Sequence, residues 1–440
     1  MNSKAYSARK VNLLSVDWIG KDRDGQPAWV GVDVGKVEMQ AVVNWAKDDF
    51  ERPWKVGNPG DIAVLIGHLK RLAIGRQLTV ALEPSGTYGD ALRQACHDAG
   101  ITVHRVAPKV AHDYAEVFDG VPSQHDGKDA AVVAELARCG KSAAWPWTIA
   151  PANEQQIEYW VDRMDAQRRL RQMWCGRIEA RLARHWPEVL MQLKLTSPTL
   201  LNALVEYGGP AALAADAQAA AGKLKGWGRT PLTADAVARI VAGAGRSMGV
   251  RQQPTDLQRL RDYARDALAA RQQVNEAQRR LRELSRDHRP IQALAGAVGN
   301  ASACVLFAYL GDPGNYPCGA AYVKAMGLNL TERSSGMYKG KLKISKRGSS
   351  VVRYWMYLAA LRLARKNSPV RPWYLRKKSK ESDQAGKALV AIMRRLGLAL
   401  YHVAASGEAF EPARLFPGRR RVAAATNAAA GTAVKGDARQ

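Results

Sequence analysis

The chain has 440 residues, 47% of them apolar, and carries 66 Lys and Arg against 40 Asp and Glu, a net charge of +26. That length allows two or three domains with separate cores. The basic surplus implies a polyanionic partner, because each cation that meets a phosphate releases a condensed counterion.

Five cysteines (Cys96, Cys139, Cys175, Cys304, Cys318) stand singly, with no C-x-x-C pair. This argues against structural zinc and suits a reducing compartment. No apolar stretch follows the basic residues Lys4, Arg9 and Lys10, and none approaches the length a membrane helix needs. The expectation is a cytoplasmic, nucleoid-associated bacterial protein with no membrane partner.

Residues 1–28 read as an irregular extension. Trp29 to Val34 and Glu38 to Trp45 are apolar runs that predict paired strands with a turn at Gly35-Lys36. Asp61 to Leu72 has helical apolar spacing, Leu78 to Leu82 reads as a buried strand, and Tyr88 to Ala99 as a helix. A strand over Ile101 to Val106 and a helix from Gly127 to Cys139 follow. A hairpin followed by alternating strands and helices predicts an α/β domain over 29–150 with a ribonuclease-H-like (RuvC-like) fold.

Residues 151–289 contain no convincing strand. Asn153 to His185 reads as one long Arg-rich helix and Asp256 to about Arg286 as a second. In the second, Leu257, Leu260, Ala264, Ala267, Arg271, Val274, Gln278 and Leu281 fall at heptad-like places. This spacing suits packing within the chain or a dimerising coiled coil. A mainly helical domain is expected over 290–412, and a disordered tail over 413–440.

Four carboxylates suggest chemistry. Asp33 interrupts an apolar strand, where an uncompensated charge is costly. Glu83 ends another strand just before Pro84 and Gly86 turn the chain. Asp126 and Asp129 are three apart at a helix start and share one face, where helix capping is the plain alternative. Together they supply the hard oxygen ligands that magnesium takes in phosphoryl transfer. Gly31 to Gly35 also matches the first phosphate loop of actin-like sugar kinases, but that fold's later phosphate and adenosine motifs are not found.

Further along, Ser334-Ser335-Gly336 precedes a basic run. Arg333 to Lys380 holds 15 Lys and Arg, no Asp or Glu, and interleaved aromatic residues such as Tyr354, Trp355 and Trp373. This composition suits direct phosphate contact. The cations nearest the serines are Arg333, Lys339, Lys341, Lys343, Lys346, Arg347 and Arg353.

The motifs GVDVGK, LEPSGTYG, HDGKDAAVVAE, LAGAVGNASACVLFAYLGD and AYVKAMGLNLTERSSG…KISKRGSSVVRYWMYLAA stand in one order. On them the chain resembles the DEDD transposases of the insertion sequence 110 family, relatives of the Piv invertases, over roughly 29–140 and 290–410. The resemblance implies a RuvC-like domain whose Asp33, Glu83, Asp126 and Asp129 bind Mg2+. It also implies a C-terminal domain whose serine attacks double-stranded DNA to give a phosphoserine link, and places that nucleophile at Ser335, with Ser334 as the near alternative. A homo-oligomer and a structured non-coding guide RNA are further implications. A junction-resolving hydrolytic nuclease and a Piv-like invertase are the alternative functions.

Overall fold

The computed structural model describes residues 7–119, 125–228, 230–332, 340, 342–381 and 384–416. The chain divides into two compact units, 1–149 and 150–440.

Among the described residues, the first unit contains one sheet with helices on both faces. Its elements are β1 (Arg9–Lys10), α1 (Val16–Ile19), β2 (Ala28–Val34), β3 (Glu38–Ala46), β4 (Asp49–Phe50) and β5 (Trp54–Gly57). They continue with α2 (Ile62–Leu72), β6 (Leu78–Leu82), α3 (Asp90–Asp98), β7 (Thr102–Arg105), α4 (Pro108–Phe118), α5 (Asp126–Arg138) and β8 (Ala143–Ala144). The strand order is β1-β5-β3-β2-β6-β7-β8, with β4 paired to β3. β2 is antiparallel to β3, and β2, β6 and β7 are mutually parallel neighbours.

Strand alternation divides the apolar residues between two faces. Val30, Val32 and Val34 of β2 and Leu78, Val80 and Leu82 of β6 point to one core. There they meet Ile62, Leu65, Leu69 and Leu72 of α2 and Leu92 and Cys96 of α3. The other face carries Trp29 and Ala81 beneath Val132, Val133 and Leu136 of α5. The β2–β3 turn needs Gly35, where an added Cβ would lie 2.2 Å from the Glu38 carbonyl oxygen.

The structure differs from the sequence reading at both ends. Residues 7–28 are not a loose extension: Val11, Val16 and Ile19 are buried in the first core, and Arg9 and Lys10 pair with Trp54 and Lys55. At the other end Leu415 is buried and Phe416 stacks on Trp373 at 3.7 Å, so packed structure runs past 412. Residues 417–440, where the sequence suggests a tail, lie outside the described residues.

The second unit is mainly helical. α6 (Ala152–His185) is followed by four shorter helices, α7 (Pro198–Tyr207), α8 (Pro210–Ala215), α9 (Ala217–Gly226) and α10 (Ala234–Gly245), and then by α11 (Pro254–Leu284). α6 and α11 run antiparallel along each other: Asn153 donates to the Leu284 carbonyl at 3.2 Å, Arg163 to Gln273 at 2.7 Å, and Arg181 lies 3.9 Å from Asp256. Of the heptad-like positions, Leu260, Ala264, Ala267, Val274 and Leu281 are buried within this chain. The four shorter helices pack with Leu182 of α6 and Leu260 of α11 in a second cluster around Trp186, Leu200, Leu204 and Leu213. The Ala-rich stretch 211–221 lies in α8 and α9.

The remaining elements are α12 (Arg289–Val298), α13 (Asn300–Leu310), α14 (Gly319–Ala325), β9 (Leu330–Thr331), β10 (Lys343–Ile344), α15 (Ser350–Leu363), α16 (Arg371–Lys380) and α17 (Ala385–Ser406). They share one core with the far ends of α6 and α11, through Ile157, Val161, Ala277 and Leu281. α17 has the length and apolarity of a spanning helix, which the sequence reading did not find. Its Leu389, Ile392, Met393, Leu396 and Leu400 fill that core, while Arg394 donates to the Leu328 carbonyl.

Candidate active site

Asp33 and Glu83 come to adjacent positions through strand register. Val32 of β2 is the partner of Leu82 in parallel β6, so the next residue of each strand is a carboxylate on the same edge. Both lie on the face that α5 covers, because Gly31 and Ala81, two residues earlier, lie there too.

The approach of α5 depends on Gly31. A Cβ there would stand 2.1 Å from the Ala130 carbonyl oxygen and 2.3 Å from the Ala134 nitrogen. Without one, the helix backbone rests directly on β2 and Asp126 and Asp129 in its first turn are brought towards Asp33. The far end of α5 is anchored by Glu135, which is buried and accepts from Asn44 Nδ2 at 2.7 Å and from Arg138 Nε at 2.7 Å. Near its start, Lys128 and Asp119 form a buried ion pair at 2.7 Å. The helix is thus held at both ends, and its N-terminal dipole favours the carboxylates there.

The electrostatics record the gathering. Burial, and then the charges of Asp129, Asp126 and Glu83, push the Asp33 carboxyl up to about 6. Burial and Asp129 raise Glu83, opposed by His112. Burial and Asp126 raise Asp129, opposed by Lys128 and His125. No lysine or arginine among the described residues forms an ion pair with any of the four. Hard oxygen donors of this kind, without a paired lysine or arginine, suit a hard divalent cation better than the softer Zn2+. Among the described residues, no three His, Cys, Asp or Glu side chains stand close enough to hold one ion. Asp33 lies within the field of the other three carboxylates, and Asp129 acts on Glu83 in the same way.

Sequence reasoning missed Gly31, His112 and the Glu135 anchor. A glycine two residues before Asp33 on the same strand face was the available signal for the first.

In the second unit, Arg333, Ser334, Ser335, Lys339 and Lys341 lie outside the described residues. The chain on either side of that stretch is held together as an antiparallel pair, Thr331 with Lys343 and Leu330 with Ile344. After it, Ser345 N donates to the Asn329 carbonyl at 2.8 Å, Lys346 N to Gly327 at 3.0 Å, and Arg353 Nη1 to Gly348 at 2.8 Å. Ser349 caps α15 by accepting from Val351 N at 3.2 Å. Lys343, Lys346 and Arg347 are exposed there, and Arg353 is half-buried. Other cations of the basic run are engaged: Arg362 donates to the Val298 carbonyl, and Lys377 pairs with Glu381 at 2.7 Å.

An acidic cluster at a sheet edge and a strongly basic helical unit belong to an enzyme that acts on nucleic acid. Residues 30–187 match the model of the DEDD transposases of IS110 elements, and residues 291–375 match that of the transposase IS116/IS110/IS902 family. The chain is 27% identical over 394 residues to the insertion element IS900 uncharacterized 42 kDa protein of Mycobacterium paratuberculosis, covering 84% of this chain and 94% of that one. It is 26% identical over 401 residues to the insertion element IS116 uncharacterized 44.8 kDa protein of Streptomyces clavuligerus, covering 88% and 96%. The chain is a DNA transposase, and DNA is its substrate. It belongs to the IS110 family of insertion-sequence transposases.

Proposed function

We propose that this transposase mobilises its own insertion sequence by cutting and rejoining DNA strands through a RuvC-like acidic site and a serine nucleophile. The observation that carries the reading is the set of four carboxylates on two adjacent strand ends and one helix start, with Asp33 pushed up to about 6 by burial and by the other three. Asp33, Glu83, Asp126 and Asp129 would hold Mg2+. The ion, when bound, stabilises charge on the attacking and leaving oxygens of the phosphodiester. In the reaction, Ser335 Oγ loses its proton and forms an O–P bond. The P–O bond to a deoxyribose oxygen breaks, and that oxygen takes up a proton as a free hydroxyl. Attack by a second strand's hydroxyl on the phosphoserine reverses the exchange and releases Ser335.

Ser335→Ala is expected to abolish a covalent protein–DNA adduct on a denaturing gel, while Ser334→Ala keeps it. Cleavage without any adduct, unaffected by Ser335→Ala, would leave a hydrolytic nuclease in its place.

Exposed Lys343, Lys346 and Arg347, half-buried Arg353, and Arg333, Lys339 and Lys341 of the adjoining stretch are the proposed phosphate contacts. Lys343→Ala and Arg347→Ala should each weaken DNA binding evenly across sequences and make the salt dependence shallower by about 0.9 in log–log slope. An unchanged slope in titrations at several salt concentrations would remove that residue from the interface. A structured non-coding guide RNA, for which the net charge of +26 supplies cations, and a homo-oligomeric assembly are part of the same reading.

A further inference from the structure

The row of residues across the acidic site continues beyond Asp33. Asp33 is the Cα partner of Gln40 in antiparallel β3, and Gln40 is the partner of Lys55 in β5. Directly opposed residues of an antiparallel pair share a face, with Cβ atoms roughly 5 Å apart. The Gln40 amide therefore stands beside the Asp33 carboxylate, on the face α5 covers. Its Oε1 is buried and accepts no hydrogen bond. Lys55, the cation nearest in register, is engaged by Glu38.

A buried acceptor with no donor is costly and rare enough to need a reason. An amide oxygen is a hard, neutral ligand of the sort divalent ions take alongside carboxylates. Being neutral, it would add a donor without adding to the repulsion among four acidic groups. We propose that Gln40 is a further oxygen ligand of the divalent ion at the acidic site, a role that rests on the assignment of that site to Asp33, Glu83, Asp126 and Asp129.

The test is calorimetric titration of the full chain with Mn2+, with melting curves of the metal-free protein alongside. Gln40→Met keeps the volume and removes the donor. It should weaken Mn2+ affinity by about ten- to a hundredfold, the range seen when groups supporting a metal site are removed, and leave the metal-free melting temperature unchanged or higher. Gln40→Glu should bind Mn2+ more tightly than the wild type. Unchanged affinity in Gln40→Met, or no tightening in Gln40→Glu, overturns the proposal if Asp33→Asn still loses Mn2+ binding. If Asp33→Asn binds Mn2+ as the wild type does, the assignment of the acidic site itself fails.

Discussion

Asp33→Asn is expected to raise the melting temperature of the metal-free protein at pH 8 while reducing strand cleavage by about a thousandfold or more. The loss of rate follows if Asp33 helps hold charge-stabilising cations at the reacting phosphate, a contribution of several kcal/mol. The gain in stability follows from the raised pKa. Asp33 ordinarily ionises near 3.8 but is held up to about 6 in the fold, by burial first and then by Asp129, Asp126 and Glu83. Well below pH 3.8 the folded and unfolded chains are both protonated at this position, and it carries no penalty. As pH rises towards 6 the unfolded chain releases its proton first, so stability falls, and above 6 the loss is complete. Allowing for the side of Asp33 that faces solvent, the loss is on the order of 2 kcal/mol, or about 5 °C for a unit of this size. The asparagine variant should lack that pH dependence, coming close to the wild type near pH 4 and exceeding it most at pH 8. Mg2+ should narrow the gap by stabilising only the wild type. Melting curves from pH 4 to 8, with and without Mg2+, decide this. A variant less stable than the wild type at pH 8 without metal would contradict it.

Gly31→Val should separate the acidic residues without touching any of them. The new Cβ would stand 2.1 Å from Ala130 O and 2.3 Å from Ala134 N, both backbone atoms of α5 that no rotamer change can move. The helix must shift outward, at a cost of about 1–3 kcal/mol for overpacking. Asp126 and Asp129 would move with it, and a displacement of about 1 Å is enough to cost roughly a hundredfold in rate. Gly67 provides the control. It is an exposed glycine within α2 with no atom near its would-be Cβ, so Gly67→Ala should be stabilising by about 0.4–1 kcal/mol, with activity intact. Thermal denaturation paired with a strand-cleavage assay tests both. Full activity in Gly31→Val would show that α5 does not position the site.

These two variants also show what could be read from the sequence. An aspartate within Trp29 to Val34, a glutamate ending Leu78 to Leu82, and two aspartates sharing a helix face are visible as departures from local apolar patterning. The hairpin itself was within reach, but a turn at Gly35-Lys36 would set Glu38 opposite Asp33, and only the observed pairing of Val34 with Met39 brings Gln40 there. For Gly31 only half was legible: a glycine two residues before Asp33 marks a close approach on that face, but which helix returns there from about a hundred residues away could not be read. Helix α4 went unread because only Ala111 among its residues is buried, which leaves a weak apolar stripe. The ordering of residues 9–19 was equally hidden. Val11, Val16 and Ile19 follow no helical or strand period, and only the cover they give to the sheet makes them core.

If the acidic site and the serine serve one reaction, the rate of covalent adduct formation with an element-junction DNA depends on both. It should be followed for the wild type, Asp33→Asn, Glu83→Gln and Asp129→Asn, with DNA binding measured in parallel. Each variant should bind DNA, and none should accumulate the phosphoserine adduct. A variant that lacks Asp33 yet forms the adduct at the wild-type rate would contradict a shared reaction.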